Sequence, residues 1–219
     1  MLYSVNDLKK EIRIVLDQNM TSEQLFESGD IDTLTLDEII ESKLADATRI
    51  VIINAPNYLL DGGVDGGKLF GESIFWDSGA TGHGKGSINL PSDFLRLICF
   101  QMSDWSRSVT EAINESHPIY AMQASRYSGI RGNPEKPVVA IIHTSVGLTL
   151  EFFSCMGGEN VKIKKARYLA NPKIVDGQID ICEKLKSATI YYAASLVSTT
   201  LKDVEGANMF KEISKNLMQ

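Results

Sequence analysis

The sequence has few cysteines, no long apolar run and no signal-like start. Its three cysteines, Cys99, Cys155 and Cys182, are odd in number and far apart, which favours reduced thiols in a protein made inside a cell. The apolar run at 50–53 is stopped by Asn54 and is much shorter than the roughly 20 residues that span a bilayer. Residues 1–4, MLYS, lead into the charged residues Asp7, Lys9, Lys10 and Glu11 and not into the apolar stretch of a signal peptide. We therefore expect neither secretion nor a membrane location.

Residue patterns that carry catalysis or bind metals are also missing. The three histidines, His83, His117 and His143, lie in separate segments with no Cys or His at ligand spacing. No G-x-S-x-G turn is present for a hydrolytic nucleophile. Cys155 fits a buried structural thiol better than a nucleophile. We predict no catalytic, cofactor-binding or metal-binding residues, and hence a protein that is not an enzyme.

Residues 61–87 hold more than half of the 17 glycines and predict a loop with one short strand at 74–76. Windows 62–68 and 79–85 match the G-x-x-x-x-G-K part of a phosphate-binding loop, but Leu69 and Gly86 follow where Ser or Thr would hold magnesium. We interpret the stretch as a surface loop of the kind that can order on assembly. The alternative is an enzyme that grips a phosphorylated ligand with this loop.

Charge is unevenly distributed along the chain. Residues 1–61 contain twelve acids and five bases, a net charge of −7, whereas the remainder has a net charge of +1. Between Ser22 and Glu41 there are seven acids and no base. This pattern is typical of a solvated acidic surface, and it also suits a surface that repels nucleic acid or docks a basic partner. Sequence-specific DNA binding is disfavoured because it needs a basic face.

One short stretch, 162–167, has the opposite charge. Lys162, Lys164, Lys165 and Arg167 occur there without an acid. The alternation predicts an edge strand whose charged face discourages aggregation. The alternative is nonspecific contact with the DNA backbone.

The N-terminal quarter predicts two helices. Ser4 or Asn6 can cap the first. Thr35 and Glu38 form a capping box for the second, and Pro56 ends it. In the middle of the chain, strands are predicted at 87–91, 94–102, 137–143, 147–155 and 160–169, the last three forming a meander, with a short helix at 118–126.

The C-terminal segment predicts a helix with two apolar stripes. At 100° per residue one stripe is on the side of Ile181. Its members are Ile181, Leu185, Ala188, Tyr192 and Leu196. The opposite stripe includes Ile190, Ala194, Val197 and Leu201. If the first faces the chain's own core, the second needs another element, from the same chain or from a neighbouring subunit; we predict the neighbouring subunit and take these four residues as the candidate subunit interface.

These elements predict an α+β fold. The whole chain, 1–219, is expected to be a single subunit. Residues 1–56 and 180–219 form its helical core, and residues 57–175 form a β-rich insertion that contains the glycine-rich loop.

Several stretches resemble adaptor, or head–tail connector, proteins of tailed bacteriophages. Residues 90–97, LPSDFLRL, resemble an LP-x-DF-x-R-L strand of that family. The segments 102–105 (MSDW), 129–134 (GIRGNP) and 188–197 (ATIYYAASLV) resemble further parts of such proteins, as does the order of helices, β-rich insertion and late helix.

The resemblance implies a structural ring subunit, commonly one of twelve, that joins the portal to the tail and extends the DNA channel. Its partners would be further copies of the chain, the portal protein, tail proteins and DNA that passes without sequence-specific contact. It implies a protein of the virion, made in the host cytoplasm. Besides the enzyme, a monomeric protein-interaction module remains an alternative.

Overall fold

The computed structural model describes residues 1–17, 34–60, 62–66, 74–77, 84–127, 129–156 and 160–219. Its contacts divide the chain into two compact units. The first combines the two ends of the chain, Met1–Gly62 and Asn171–Gln219, and the second is Gly63–Ala170.

Helices dominate the first unit and antiparallel strands dominate the second. The described elements, in chain order, are β1 (Leu2–Ser4), α1 (Val5–Val15), α2 (Leu36–Asn54), β2 (Val64–Asp65), β3 (Ile74–Asp77), β4 (Lys85–Asn89), β5 (Phe94–Met102), α3 (Pro118–Met122), β6 (Val139–Thr144), β7 (Gly147–Phe152), β8 (Ile163–Ala170), β9 (Ile174–Val175), β10 (Gln178–Asp180), α4 (Lys186–Thr200) and α5 (Val204–Asn216). The predicted α+β class, with N- and C-terminal helices that pack together, is confirmed.

The start of α2 follows the predicted capping box. Thr35 Oγ1 accepts a hydrogen bond from the Glu38 amide at 3.3 Å, and the Thr35 amide donates to Glu38 Oε2 at 2.7 Å. These bonds satisfy backbone groups that the first turn leaves unpaired. The hydrogen bonds lower the pKa of Glu38. At α1, Ser4 is the N-cap residue but its side chain makes no capping hydrogen bond.

Helix α4 is the centre of the first unit. It packs against α1, α2 and α5. Two buried serines join α5 to it: Ser195 Oγ donates to the Ala207 carbonyl, and Ser214 Oγ donates to the Ala188 carbonyl, both at 2.8 Å. Because these two hydroxyls are paired, Ser195 of α4 and Ser214 of α5 are compatible with burial.

The first unit also contains a small sheet in the order β1-β10-β9. Asp176 and Gly177 connect β9 to β10, and both have positive φ, +51° and +70°. Two successive positive φ angles are the requirement of a tight hairpin turn.

The second unit has two antiparallel sheets, β2-β8-β5 and β3-β4-β7-β6. The predicted meander of the last three strands is therefore wrong, because β8 pairs with β5 rather than with β7. Their shared core is aromatic. Phe100, Trp105 and Phe152 pack with ring centroids 5.3–6.5 Å apart. Burial of three such rings supplies a large part of the unit's hydrophobic stabilisation.

No helix in the described ranges is long and apolar enough to cross a membrane.

Candidate functional site

The predicted subunit interface consists of one apolar stripe of α4 and its C-terminal neighbour Leu201. Ile190, Ala194 and Val197 are buried in the chain's own core cluster, with residues of α1, α2 and α5. Only Leu201, 38% exposed, keeps a substantial free surface. The second apolar stripe of α4 is therefore covered by helices of the same chain and not by a neighbouring subunit. The interface assignment is corrected for these three residues, because other helices of the chain cover both stripes.

A groove between α1 and α4 does reach the surface. Its volume is about 240 Å³. It is lined by Glu11, Ile14, Val15, Ser187, Ile190 and Tyr191. Ile14 is 64% exposed, so one wall is an apolar side chain in water. Lys186 Nζ lies 2.6 Å from Glu11 Oε1.

The glycine windows contain strand structure where they are described. In the first, Val64 and Asp65 pair with Tyr168 and Arg167 of β8. A Cβ on Gly63 would lie 2.7 Å from the Tyr168 carbonyl oxygen, so this glycine permits a close backbone approach. Lys68 lies outside the described residues.

The second window leads directly into β4. The Cys155 amide donates to the Gly84 carbonyl at 3.0 Å. A Cβ on Gly86 would be 2.2 Å from the Phe152 ring. Lys85, the lysine of this window, is 2.7 Å from Glu151 Oε1 and 5.7 Å from the centroid of the Phe153 ring. A lysine held in this ion pair is not free to bind phosphate.

Cys155 is buried, as predicted for a structural thiol. Burial raises its pKa to about 12, and the charge of Asp104 adds to the effect. The thiolate is the reactive form, so this cysteine is a poor nucleophile. Of the three histidines, His83 lies outside the described residues. Among the residues that are described, no group of three His, Cys, Asp or Glu side chains is arranged to hold a metal ion.

The basic stretch 162–167 begins one residue before β8 and continues along that strand. The prediction of an edge strand is wrong at Arg167, because β8 lies there between β2 and β5. Lys162, Lys164, Lys165 and Arg167 are nevertheless exposed. The strand pairs on both sides at Arg167, where Cys99 and Asp65 are its neighbours.

A surface that the sequence did not indicate lies in the long connection between β5 and β6. We call residues 116–127 and 129–132 the lobe. Four of its large apolar side chains face solvent: Ile119 (40% exposed), Met122 (45%), Tyr127 (57%) and Ile130 (54%). Arg126 lies 5.0 Å from the centroid of the Tyr127 ring and donates to the Tyr127 hydroxyl at 2.9 Å. Tyr, Met and Arg are the residue types enriched at protein–protein interfaces.

The lobe is fixed to the sheet by a buried polar cluster. Glu151, only 6% exposed, projects from β7. Its Oε2 accepts a hydrogen bond from the Tyr120 hydroxyl at 2.9 Å, while its Oε1 pairs with Lys85. Burial, the hydrogen bond to Glu151 and the charge of that carboxylate raise the pKa of Tyr120 to about 12. Tyr120 therefore stays a hydroxyl donor, and its ring packs edge-on against Phe153.

A second anchor lies at the other end of the lobe. The Gly132 amide donates to Gln123 Oε1 at 3.0 Å, and Gln123 Nε2 donates to the Ile119 carbonyl at 2.9 Å. The Ser154 hydroxyl donates to the Gly132 carbonyl. Gln123 is buried, so these hydrogen bonds lie on the protein side of the lobe, whereas the apolar side chains of the lobe are exposed to solvent. The lobe therefore combines anchored backbone with exposed apolar side chains.

Neither the protein-family models nor the curated proteins contain a match to this chain.

Proposed function

We propose that this chain is a structural assembly protein: a ring subunit of a phage head–tail connector that joins the portal to the tail and extends the DNA channel. The observation that supports an assembly role is the lobe. Its apolar side chains Ile119, Met122, Tyr127 and Ile130 are all exposed, and they lie on one short segment that Tyr120 and Gln123 anchor.

A fixed apolar surface in water suggests a partner. Exposed apolar side chains scattered singly are ordinary, but a concentration of them on one short segment is typical of a protein contact. Ordering the segment in advance removes an entropy cost that binding would otherwise include. The buried Glu151 cluster serves that purpose in this proposal, since it orders the lobe without covering it.

The kind of particle is supported by the resemblance alone. The LPSDFLRL stretch, 90–97, leads into β5, and the ATIYYAASLV stretch, 188–197, lies within α4. The proposed partners are further copies of the chain in a ring, commonly of twelve, together with portal and tail proteins in the virion. DNA would pass through the ring without sequence-specific contact.

Electron microscopy tests this proposal. The purified protein would be imaged alone and after mixing with the cognate portal protein. We expect closed rings, or an added ring on the portal. Monomeric particles in both samples, with unchanged portals, would refute the proposal. As a control, Val146→Asp changes an exposed valine in the β6–β7 turn and should behave as the wild type.

A further inference from the structure

We infer that the basic stretch of β8 is a contact surface for the phosphate backbone of DNA. Its four cations, all exposed, are called the basic row: Lys162, Lys164, Lys165 and Arg167. The inference deepens the proposed function, which gives the passing DNA no contact surface. It rests on that function only in taking DNA as the nucleic acid.

A break in the register of β8 puts the four cations on one side of the sheet. In the pairing of β8 with β5, Lys164 has no partner, which makes it the extra residue of a β-bulge. The side chains that pack into the core are two residues apart on either side of the bulge: Val161 and Ile163 before it, Ala166 and Tyr168 after it. The alternation therefore shifts by one residue at the bulge, and the adjacent Lys164 and Lys165 both lie on the solvent side.

The charge of the basic row is only partly offset. Within the described parts of the chain, its three lysines form no ion pair. Arg167 lies opposite Asp65 of β2, an acid that offsets its charge. Asp104 follows Ser103, which bonds the backbone of the row, but its carboxylate accepts a backbone hydrogen bond and pairs with none of the lysines. Glu159 precedes the row in sequence and lies outside the described residues.

The chemistry of the row selects a nucleic acid among polyanions. Between residues 160 and 170, all of them described, no large apolar side chain is exposed. Protein–protein interfaces have an apolar core and few lysines, and membrane-surface elements insert apolar side chains. Protein–DNA interfaces are instead polar and positively charged, and lysine is a common donor to phosphate.

The dimensions of the row suit a phosphate backbone. At about 3.3 Å per residue, its four cations extend over about 16 Å of strand. Phosphates follow one another at about 3.4 Å of rise along each DNA strand, so the row can lie along about five of them. The row is held in place by the pairing of β8 with β5, which spans Phe94 to Met102.

The rest of the chain keeps this contact weak. The net charge of the whole chain is −6, so the surface outside the row repels DNA on balance. Contacts from lysine to phosphate are sensitive to salt and carry no sequence information. Weak contact of this kind suits DNA that passes rather than stays bound, and each copy in a ring would add one row.

The salt dependence of DNA binding tests the inference. Fluorescence anisotropy would follow the binding of wild type to a labelled duplex of about 30 base pairs, at salt concentrations from about 10 to 150 mM. Each neutralised phosphate contributes about −0.9 to the slope of log K against the logarithm of the salt concentration, so four contacts predict about −3.6 per bound copy.

Removal of the lysines should reduce both the slope and the affinity. Lys162→Gln, Lys164→Gln and Lys165→Gln together should remove about three quarters of the slope and weaken binding at least tenfold at the lowest salt. Each single substitution should reduce the slope by about 0.9 per copy, which tests the row even if the triple variant does not fold. Circular dichroism checks folding.

Three exposed lysines outside the row supply the matched control. Lys136→Gln, Lys173→Gln and Lys211→Gln together remove the same charge from the chain. This variant should keep the slope and the affinity of wild type.

Several results would overturn the inference. No binding at the lowest salt, a slope near zero, or equal losses in the two triple variants would each do so. Tighter binding to vesicles of anionic lipid or to polyglutamate than to the duplex would also overturn it, because the partner would then be another class of polyanion.

Electron microscopy of the same samples separates the inference from the proposed function. Rings, or rings on portals, from a chain that does not bind the duplex would overturn the inference alone. Monomers that bind the duplex through the row would support the inference and overturn the proposed function. A chain that does neither overturns both.

Discussion

Replacing Tyr120 by Phe removes one hydroxyl from the anchor of the lobe and leaves the ring in place. That hydroxyl donates to Glu151 Oε2 at 2.9 Å. Hydrogen bonds to charged groups contribute about 1.5–3 kcal/mol. Because Tyr120 is only partly buried and Glu151 keeps its ion pair with Lys85, we expect the lower end, about 1.5 kcal/mol, or roughly a tenfold change in the unfolding equilibrium.

Two assays check the effect of Tyr120→Phe. Urea unfolding measures the loss of global stability. Trypsin cleavage after Arg126 measures local opening of the lobe, which should become faster because the variant loosens this segment. Tyr58→Phe is the matched control: its hydroxyl also donates a hydrogen bond, to the main-chain oxygen of Gln219, but at an exposed site, so the effect on the free energy of unfolding should be within about 0.5 kcal/mol.

Tyr120→Phe should also change how the free energy of unfolding depends on pH in alkaline solution. The pKa of Tyr120 is raised to about 12 in the folded chain, so the unfolded chain loses this proton at lower pH than the folded chain does. The stability that the hydroxyl provides is fully present below about pH 10 and is lost as the pH rises towards 12. Wild type should therefore lose more stability over this range than Tyr120→Phe. Equal losses, together with unchanged trypsin cleavage, would refute the role given to the anchor.

Three further changes test the fold. Thr35→Ala should lower the free energy of unfolding by about 1 kcal/mol, because it removes the cap of α2; a change below a few tenths in urea unfolding would contradict this. Val197→Asp should unfold the isolated chain, since this residue is fully buried, whereas Val175→Asp at an exposed site should leave the circular dichroism spectrum unchanged. Cys155 should react with a thiol reagent only after unfolding, because its thiol is buried and its pKa is raised; rapid labelling of the folded chain would contradict the structure.

Local signals were sufficient to predict several elements. The Thr35–Glu38 box marks the start of α2, and Pro56 lies just beyond its end at Asn54. The strand predicted at 94–102 has the bounds of β5. In these places the information lies within a few neighbouring residues, which is why periodicity and capping rules find it.

Partners distant in sequence could not be predicted in the same way. The pattern of α4 showed that both sides are apolar, but it did not identify α2 and α5 as their cover. The pairing of β5 with β8 likewise joins strands separated by the long connection that contains the lobe. Nothing in the local pattern of either strand specifies the other.

The lobe and its anchor were missed for two physical reasons. Glu151 alternates with Leu150 and Phe152 on β7, a pattern typical of a side chain on the solvent side of a strand, although Tyr120 and Lys85 contact it and it is buried. The lobe has no helical or strand period beyond α3. A usable signal was present: residues 116–134 combine large apolar residues with two arginines and no acid.

The central claim is that the chain assembles and that the lobe forms the contact. Native mass spectrometry of the wild-type chain beside Tyr127→Asp, over a range of concentrations, tests it most directly. We predict closed oligomers of one size for wild type and monomers for the variant. Identical masses for the two chains, whether oligomeric or monomeric, would contradict the claim.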